Sequence, residues 1–203
     1  MEDLTLLSSE LRQALDLMHD GWQKQNPSDD AKTRFIYTAK SLDEVLALCE
    51  KTGADVNYAL HRWFNYKTST ACESLFVRHG AVKEPDERNI QTDFYIDGTP
   101  FDLKLSVFPK KLKEQGRFIE RTELAAWMYQ NQSDTTRRDF QNRIFIVCIA
   151  DNTRKTMLLK TDFEKIDAKI KNYMKYIRVP KPITVKDDNG NNREVLSSVI
   201  FVQ

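Results

Sequence analysis

Two acids and a lysine in one short stretch have the types and spacing to do chemistry. Residues 91 to 107 read Gln-Thr-Asp-Phe-Tyr-Ile-Asp-Gly-Thr-Pro-Phe-Asp-Leu-Lys-Leu-Ser-Val, two β-prone runs around Asp97-Gly98. That dipeptide tolerates the positive φ angles of a type I′ turn. A two-residue loop there sets the register: Ile96 faces Thr99, Phe94 faces Phe101, and Asp93 faces Asp102. Directly opposed residues share a face with Cβ atoms ~4.5–5.5 Å apart, and Lys104, two positions past Asp102, lies on that face too. Gln91 falls opposite Lys104, while Phe94, Phe101, Leu103 and Leu105 take the other face and supply core. Like charges opposed on a sheet repel unless something compensates. A divalent cation does so: hard oxygen donors suit Mg²⁺, which takes one or two carboxylates, keeps several waters and accepts a phosphate oxygen. Such an ion lowers the pKa of a water and neutralises charge on a phosphodiester under attack, and a lysine beside that water assists by electrostatics or by taking its proton. The plainer alternative is an ordinary hairpin with a solvent-facing ion pair worth under ~1 kcal/mol.

These residues need a scaffold. Upstream, Asp55 to about His79 reads as a helix with Trp63, Phe64, Leu75, Phe76 and Val77 available for burial, ending near Gly80. Glu73 lies on it. Downstream, Pro109 to Gly116 reads as a basic loop or broken turn, and Phe118 to Gln130 as a helix with Leu124, Trp127 and Met128 on one side. Arg143 to Ala150 is a continuous apolar run, as in a strand buried on both faces. Met157 to Lys160 is expected to be a further strand. Phe163, Ile166, Ile170, Tyr173 and Ile177 space out an amphipathic helix with Lys165, Lys169, Lys171 and Lys175 opposite. Ile183–Val185 and Val195–Val202 form a second hairpin around Asp-Asn-Gly-Asn-Asn. Near the start, Leu4, Leu7, Leu11, Leu15 and Met18 recur at helical spacing, and so do Leu42, Val45, Leu46 and Cys49 behind a Ser41-x-x-Glu44 capping box. Residues 1–54 are therefore expected to form a helical extension, and residues 55–203 the domain that carries the site.

An acid on a helix, an Asp at the start of a hairpin strand, and Asp-x-Lys on the return strand resemble the PD-(D/E)xK nuclease superfamily, which has the restriction-endonuclease-like fold. The matching residues are Glu73, Asp93 and Asp102-Leu103-Lys104. The resemblance implies an α/β fold with an αβββαβ core and a mixed sheet, and a Mg²⁺-dependent endonuclease that cuts DNA, with Mn²⁺ as a substitute. It implies Asp93 and Asp102 as metal ligands and the Leu103 carbonyl as a further one. It also implies Lys104 at the attacking water, with Glu73 orienting a water or holding a second ion. Pro85-Asp86 is an alternative first motif; the hairpin register favours Asp93. His79 reads as a cap or surface residue. Gln130 and Gln132 stand where glutamines contact DNA or water in some branches of the superfamily, and read here as polar surface.

Basic residues flank the proposed site. Lys110, Lys111, Lys113, Arg117 and Arg121 follow the second strand, and Arg137, Arg138 and Arg143 precede the apolar one. Such groups neutralise phosphates and make binding fall with salt, although Glu114, Glu120 and Glu123 dilute them. The net charge of +1 hides an asymmetry: residues 1–56 hold eleven acids against six bases, and residues 152–203 the reverse. The C-terminal part is thus suited to a polyanion or acidic partner, or to a solvated lysine-rich helix. With 203 residues, 40% of them hydrophobic and 30% charged, one sizeable core is expected. No apolar run approaches the ~20 residues of a membrane span, and the acidic, amphipathic start is unlike a signal peptide. Cys49, Cys72 and Cys148 lack CxxC spacing and lie far from His19, His61 and His79, which argues against a zinc site or disulfide framework and for a reducing, cytoplasmic setting. Duplex cleavage needs two sites, so a homodimer is expected. The competing readings are a catalytically inactive nuclease-fold module that binds DNA or protein, a plain interaction protein, and an RNase on the same core.

Overall fold

The computed structural model describes residues 3–19, 25–86, 88–114, 119–131, 141–187 and 189–203. Helices come first: α1 (Leu4–Leu17), α2 (Pro27–Lys32), a 3-10 turn (Arg34–Tyr37), α3 (Leu42–Thr52) and the long α4 (Val56–Arg78). There follow β1 (Val82–Lys83), β2 (Phe94–Ile96), β3 (Thr99–Val107), α5 (Lys110–Glu114), α6 (Arg121–Asn131) and β4 (Arg143–Cys148). The chain closes with α7 (Thr153–Leu159), α8 (Phe163–Tyr176), β5 (Pro182–Lys186) and β6 (Asn192–Val202). The fold is α/β, with one mixed sheet of six strands in the order β1-β2-β3-β4-β6-β5. The first three strands and the β5–β6 hairpin are antiparallel, whereas β3, β4 and β6 run parallel.

Each strand's alternation sorts its side chains between two apolar layers. Phe94, Ile96, Phe101, Leu103, Ile144, Ile146 and Ile200 face the larger core, shared with α4 and α8. Phe145, Val147, Val195 and Val199 face the smaller one under α6. Leu7, Leu11, Val45 and Cys49 join the larger core, so α1 and α3 pack on α4 rather than standing apart from the sheet. The contact that matters most for the site is Phe76 of α4 on Phe94 of β2, rings stacked at 4.6 Å, with Tyr173 of α8 edge-on to Phe76 at 6.2 Å. It fixes the helix bearing Glu73 against the strand that follows Asp93.

The Asp97-Gly98 turn has φ of 49° and 78°, the two positive values of a type I′ turn. The pairs Phe94↔Phe101 and Ile96↔Thr99 follow as the sequence predicts. Helices are capped locally: Asp55 Oδ1 accepts the Tyr58 N–H, and Ser41 Oγ accepts that of Glu44. Glu44 returns its carboxylate to the Lys40 N–H, one residue earlier than an ideal capping box requires.

Two elements differ from expectation. Met157–Lys160 is not a strand; Met157 to Leu159 end helix α7, whose start is capped by Asn152 Oδ1 accepting the Lys155 N–H. A short apolar run does not distinguish the two periods, and the cap decides. Within the segment read as a basic loop, Lys110–Glu114 forms a short helix that buries Leu112.

Candidate functional site

The candidate site lies where β2 parts from β3. β2 has three residues and β3 has nine, so the ladder stops at Phe94↔Phe101 while β3 runs on. Asp93 lies just outside the ladder, and this corrects the expected Asp93–Asp102 opposition. Its N–H donates to the Phe101 carbonyl at 2.9 Å, the residue already paired with Phe94. Its carboxylate turns to the edge of β3, where Oδ2 accepts the Leu103 N–H at 2.6 Å. A side chain thus replaces the next rung of the ladder. Gln91 is likewise not opposite Lys104; it lies in a bend, its N–H held by Asn89 Oδ1.

Along β3, backbone groups of alternate residues point to opposite edges. The Asp102 N–H donates to Asn142 O, toward β4, so the N–H and C=O of Leu103 both open toward β2, beside Asp93. The Asp102 side chain is on the α6 side of the sheet and is buried, with Oδ1 2.8 Å from Lys104 Nζ and Oδ2 2.5 Å from Arg143 Nε. Arg143 pairs with Asp102 across the parallel β3–β4 ladder. Lys104 is 46% exposed, so its ammonium reaches both Asp102 and solvent. Glu73 is on α4, which packs on the other side of the sheet from α6.

Their charges are felt mutually. Burial, then Asp93, pushes the Glu73 carboxyl up to about 7; Asp102 adds to the shift, and Lys83 and Lys104 oppose it. Burial also raises Asp93, aided by Asp102, against the stabilising Leu103 N–H, Lys104 and Arg143. The four residues singled out in the sequence, Glu73, Asp93, Asp102 and Lys104, therefore form one electrostatic cluster. Among the described residues no three His, Cys, Asp or Glu side chains are arranged to enclose an ion; Asp102 has given both oxygens to cationic donors, and Asp93 one oxygen to an amide.

The remaining candidates are dispersed. Asp86 is exposed, with Oδ1 on the N–H and Nε of Arg88. His79 closes α4 and holds Asp167 of α8 at 2.9 Å. Lys110 and Lys111 are exposed on α5, whereas Lys113 donates to the carbonyls of Ala150 and Asp151. Arg117, Arg137, Arg138 and Gln132 lie outside the described residues.

Sequence reasoning misses Arg143 as a partner of Asp102, because parallel register between distant strands leaves no local signal. It also misses Glu84, a buried acid that accepts from the Asp86 N–H, Asn89 Nδ2 and Tyr95 Oη and so fixes the loop leading to Asp93. No family model, curated protein or solved structure matches the chain.

Proposed function

We propose that the chain is a divalent-metal-dependent endonuclease acting on DNA, with Glu73, Asp93, Asp102 and Lys104 as its reactive centre. The observation that carries this reading is the grouping of Asp93, Asp102 and a half-exposed ammonium on β3 where β2 leaves it, with Glu73 of α4 within reach of their charges. The order α4-β1-β2-β3-α5-α6-β4, an antiparallel meander passing through two helices into a parallel pair, supports a restriction-endonuclease-like core. The donor types suit Mg²⁺: the oxygens of Asp93, Asp102 and the Leu103 carbonyl are hard, and the Glu73 carboxyl, lifted to about 7 by burial and then by the charge of Asp93, would be relieved by a dication nearby.

When bound, Mg²⁺, or Mn²⁺ in its place, lowers the pKa of a water and neutralises charge on the phosphodiester. The protein's own contribution is positional. The Leu103 N–H fixes Asp93, and Asp102 orients Lys104, whose ammonium would steer the attacking water by its charge, or, as the neutral amine, would take the water's proton. Glu73 supplies a further carboxylate to orient that water. Lys110 and Lys111, just past the end of β3, neutralise flanking phosphates. Cutting both strands of a duplex takes two such centres, which makes a homodimer the acting form.

Supercoiled plasmid incubated with the purified chain should be nicked in Mg²⁺ or Mn²⁺ and spared in EDTA. Lys104→Met and Asp93→Asn should each lower cleavage by about 100-fold or more while gel-shift binding of DNA persists. Unchanged cleavage by either variant refutes the assignment. Asp102→Ala is a blunter test, because it strands Arg143 as a buried charge at a cost of ~3–5 kcal/mol.

A second reading has one observation in its favour. Both Asp102 oxygens are engaged by cations, as suits a catalytically inactive nuclease-fold module that binds DNA or a protein partner. It predicts DNA binding with no cleavage at any Mg²⁺ or Mn²⁺ concentration.

A further inference from the structure

Between Asp167 and Asp187 the chain carries six bases, Lys169, Lys171, Lys175, Arg178, Lys181 and Lys186, and no acid. All six are exposed. Among the described residues no carboxylate pairs with any of the five lysines. Arg178 alone is held: its Nε and Nη2 lie 2.7 and 2.5 Å from the two carboxylate oxygens of Asp97. Both residues have a left-handed backbone, with φ of 52° and 49°. A planar fork on a carboxylate therefore joins the end of α8 to the β2–β3 turn. The apolar stripe of α8, Ile166, Ile170, Tyr173 and Met174, is buried in the larger core. Apart from Tyr176 and Ile177 at its end, the helix has no apolar face left to enter a bilayer, and what it shows to solvent is predominantly cationic. Tyr176 has the Lys175 ammonium 4.9 Å from its ring centroid, and its hydroxyl is of a kind that reaches phosphate oxygens.

The placement of this surface ties it to the candidate site. Arg143 opens β4 and is level with Asp102 of β3 and Ser197 of β6. β5 pairs with residues 192–196 of β6, the part that precedes Ser197. The β5–β6 hairpin, the β2–β3 turn and the end of α8 thus project from the end of the sheet at which Asp93 and Asp102 lie. Thr99, where the turn held by Arg178 enters β3, is roughly 13 Å along that strand from Leu103. Lys110 and Lys111 follow the other end of β3, so cations stand beyond the site in both directions.

We propose that the surface of residues 169–186 is a docking face for the phosphate backbone of DNA running past the candidate site. The polyanion is inferred from the charges: exposed ammonium groups with no acid among them gain affinity by displacing the counterions of a phosphate chain, whatever its sequence. The choice of DNA rests on the nuclease reading above, and no metal takes part in the docking. Lysines that serve only the dipole at the C-terminus of α8 would alter melting and leave DNA affinity unchanged.

The test is fluorescence anisotropy of a short labelled DNA duplex in EDTA over a series of salt concentrations, with a thermal melt of each protein. A variant with Lys171→Gln, Lys175→Gln and Lys181→Gln should bind at least about tenfold more weakly at ~0.1 M salt, and its plot of log affinity against log salt should be shallower by about 2 to 3. A control with Lys32→Gln, Lys40→Gln and Lys51→Gln removes the same charge elsewhere and should stay within about threefold of the parent. Equal losses in the two variants, no loss in the first, or a parent that does not bind the duplex overturns the proposal. So does tighter binding of the parent to an RNA duplex of the same sequence, or to phosphatidylserine vesicles at the same salt. Should the first variant melt below the parent, Lys171→Gln alone decides: a slope shallower by about 1 supports the docking face, and an unchanged slope overturns it. A parent that binds DNA through these lysines yet never nicks plasmid in Mg²⁺ or Mn²⁺ defeats the nuclease reading and upholds the docking face.

Discussion

The charge on Glu73 opposes folding. Burial and then Asp93 hold its carboxyl near 7, against 4.5 for an unperturbed glutamate. Between those two pH values the unfolded chain has released a proton that the folded chain keeps. Stability therefore falls as pH rises from about 4.5 through 7, and the full cost, roughly 3 kcal/mol at ~1.4 kcal/mol per pH unit, is present above 7. In chelator-treated protein, Glu73→Gln should melt at a higher temperature than the parent at pH 8, with the advantage vanishing toward pH 4. A difference independent of pH would show that packing, not charge, is what the substitution changes.

At the scale of elements, the Asp97-Gly98 turn governs the site, because it decides which residues of β2 and β3 meet. Gly98 has φ of 78° and open space around the position of a Cβ, so a substitution there is penalised by backbone conformation alone. Gly98→Val should lower the denaturation midpoint by an amount corresponding to ~1–2 kcal/mol, and Gly98→Asn by clearly less, since asparagine tolerates the left-handed region. Equal losses would mean that the side chain, not φ, is at fault. Features of this kind are legible in a sequence because they are local: Asp-Gly between alternating runs, caps such as Asp55 and Ser41, and the buried run of β4 each declare themselves within a few residues. The bulged position of Asp93 is less legible, since only the end of the β2 ladder reveals that its carboxylate serves the Leu103 amide. The Asp102–Arg143 pair joins residues 41 positions apart through a parallel register, and nothing nearby in the chain encodes it.

Over the whole molecule, the charge asymmetry between the ends is partly settled internally. Arg154 of α7 pairs with Asp16 of α1 and donates to the Leu15 carbonyl, and Arg12 of α1 donates to Thr161 Oγ1. Arg178, past α8, holds Asp97 in the hairpin turn with Nε at 2.7 Å. Lys169, Lys171 and Lys175 of α8 stay exposed, and these retain the capacity for a polyanion. α1, expected as part of a helical extension, is bonded to the C-terminal helices as well as packed in the larger core. Strand β4 is the partition between the two apolar layers, with Ile144, Ile146 and Cys148 on one side and Phe145 and Val147 on the other. A party wall cannot be weakened for one tenant alone. Val147→Ala, made under α6, should therefore lower the unfolding midpoint reported by Trp63 on the far side, in a variant with Trp22→Phe and Trp127→Phe, by the same amount as the midpoint from circular dichroism. Two separate midpoints would mean that the layers melt independently and that damage on one flank leaves the other standing.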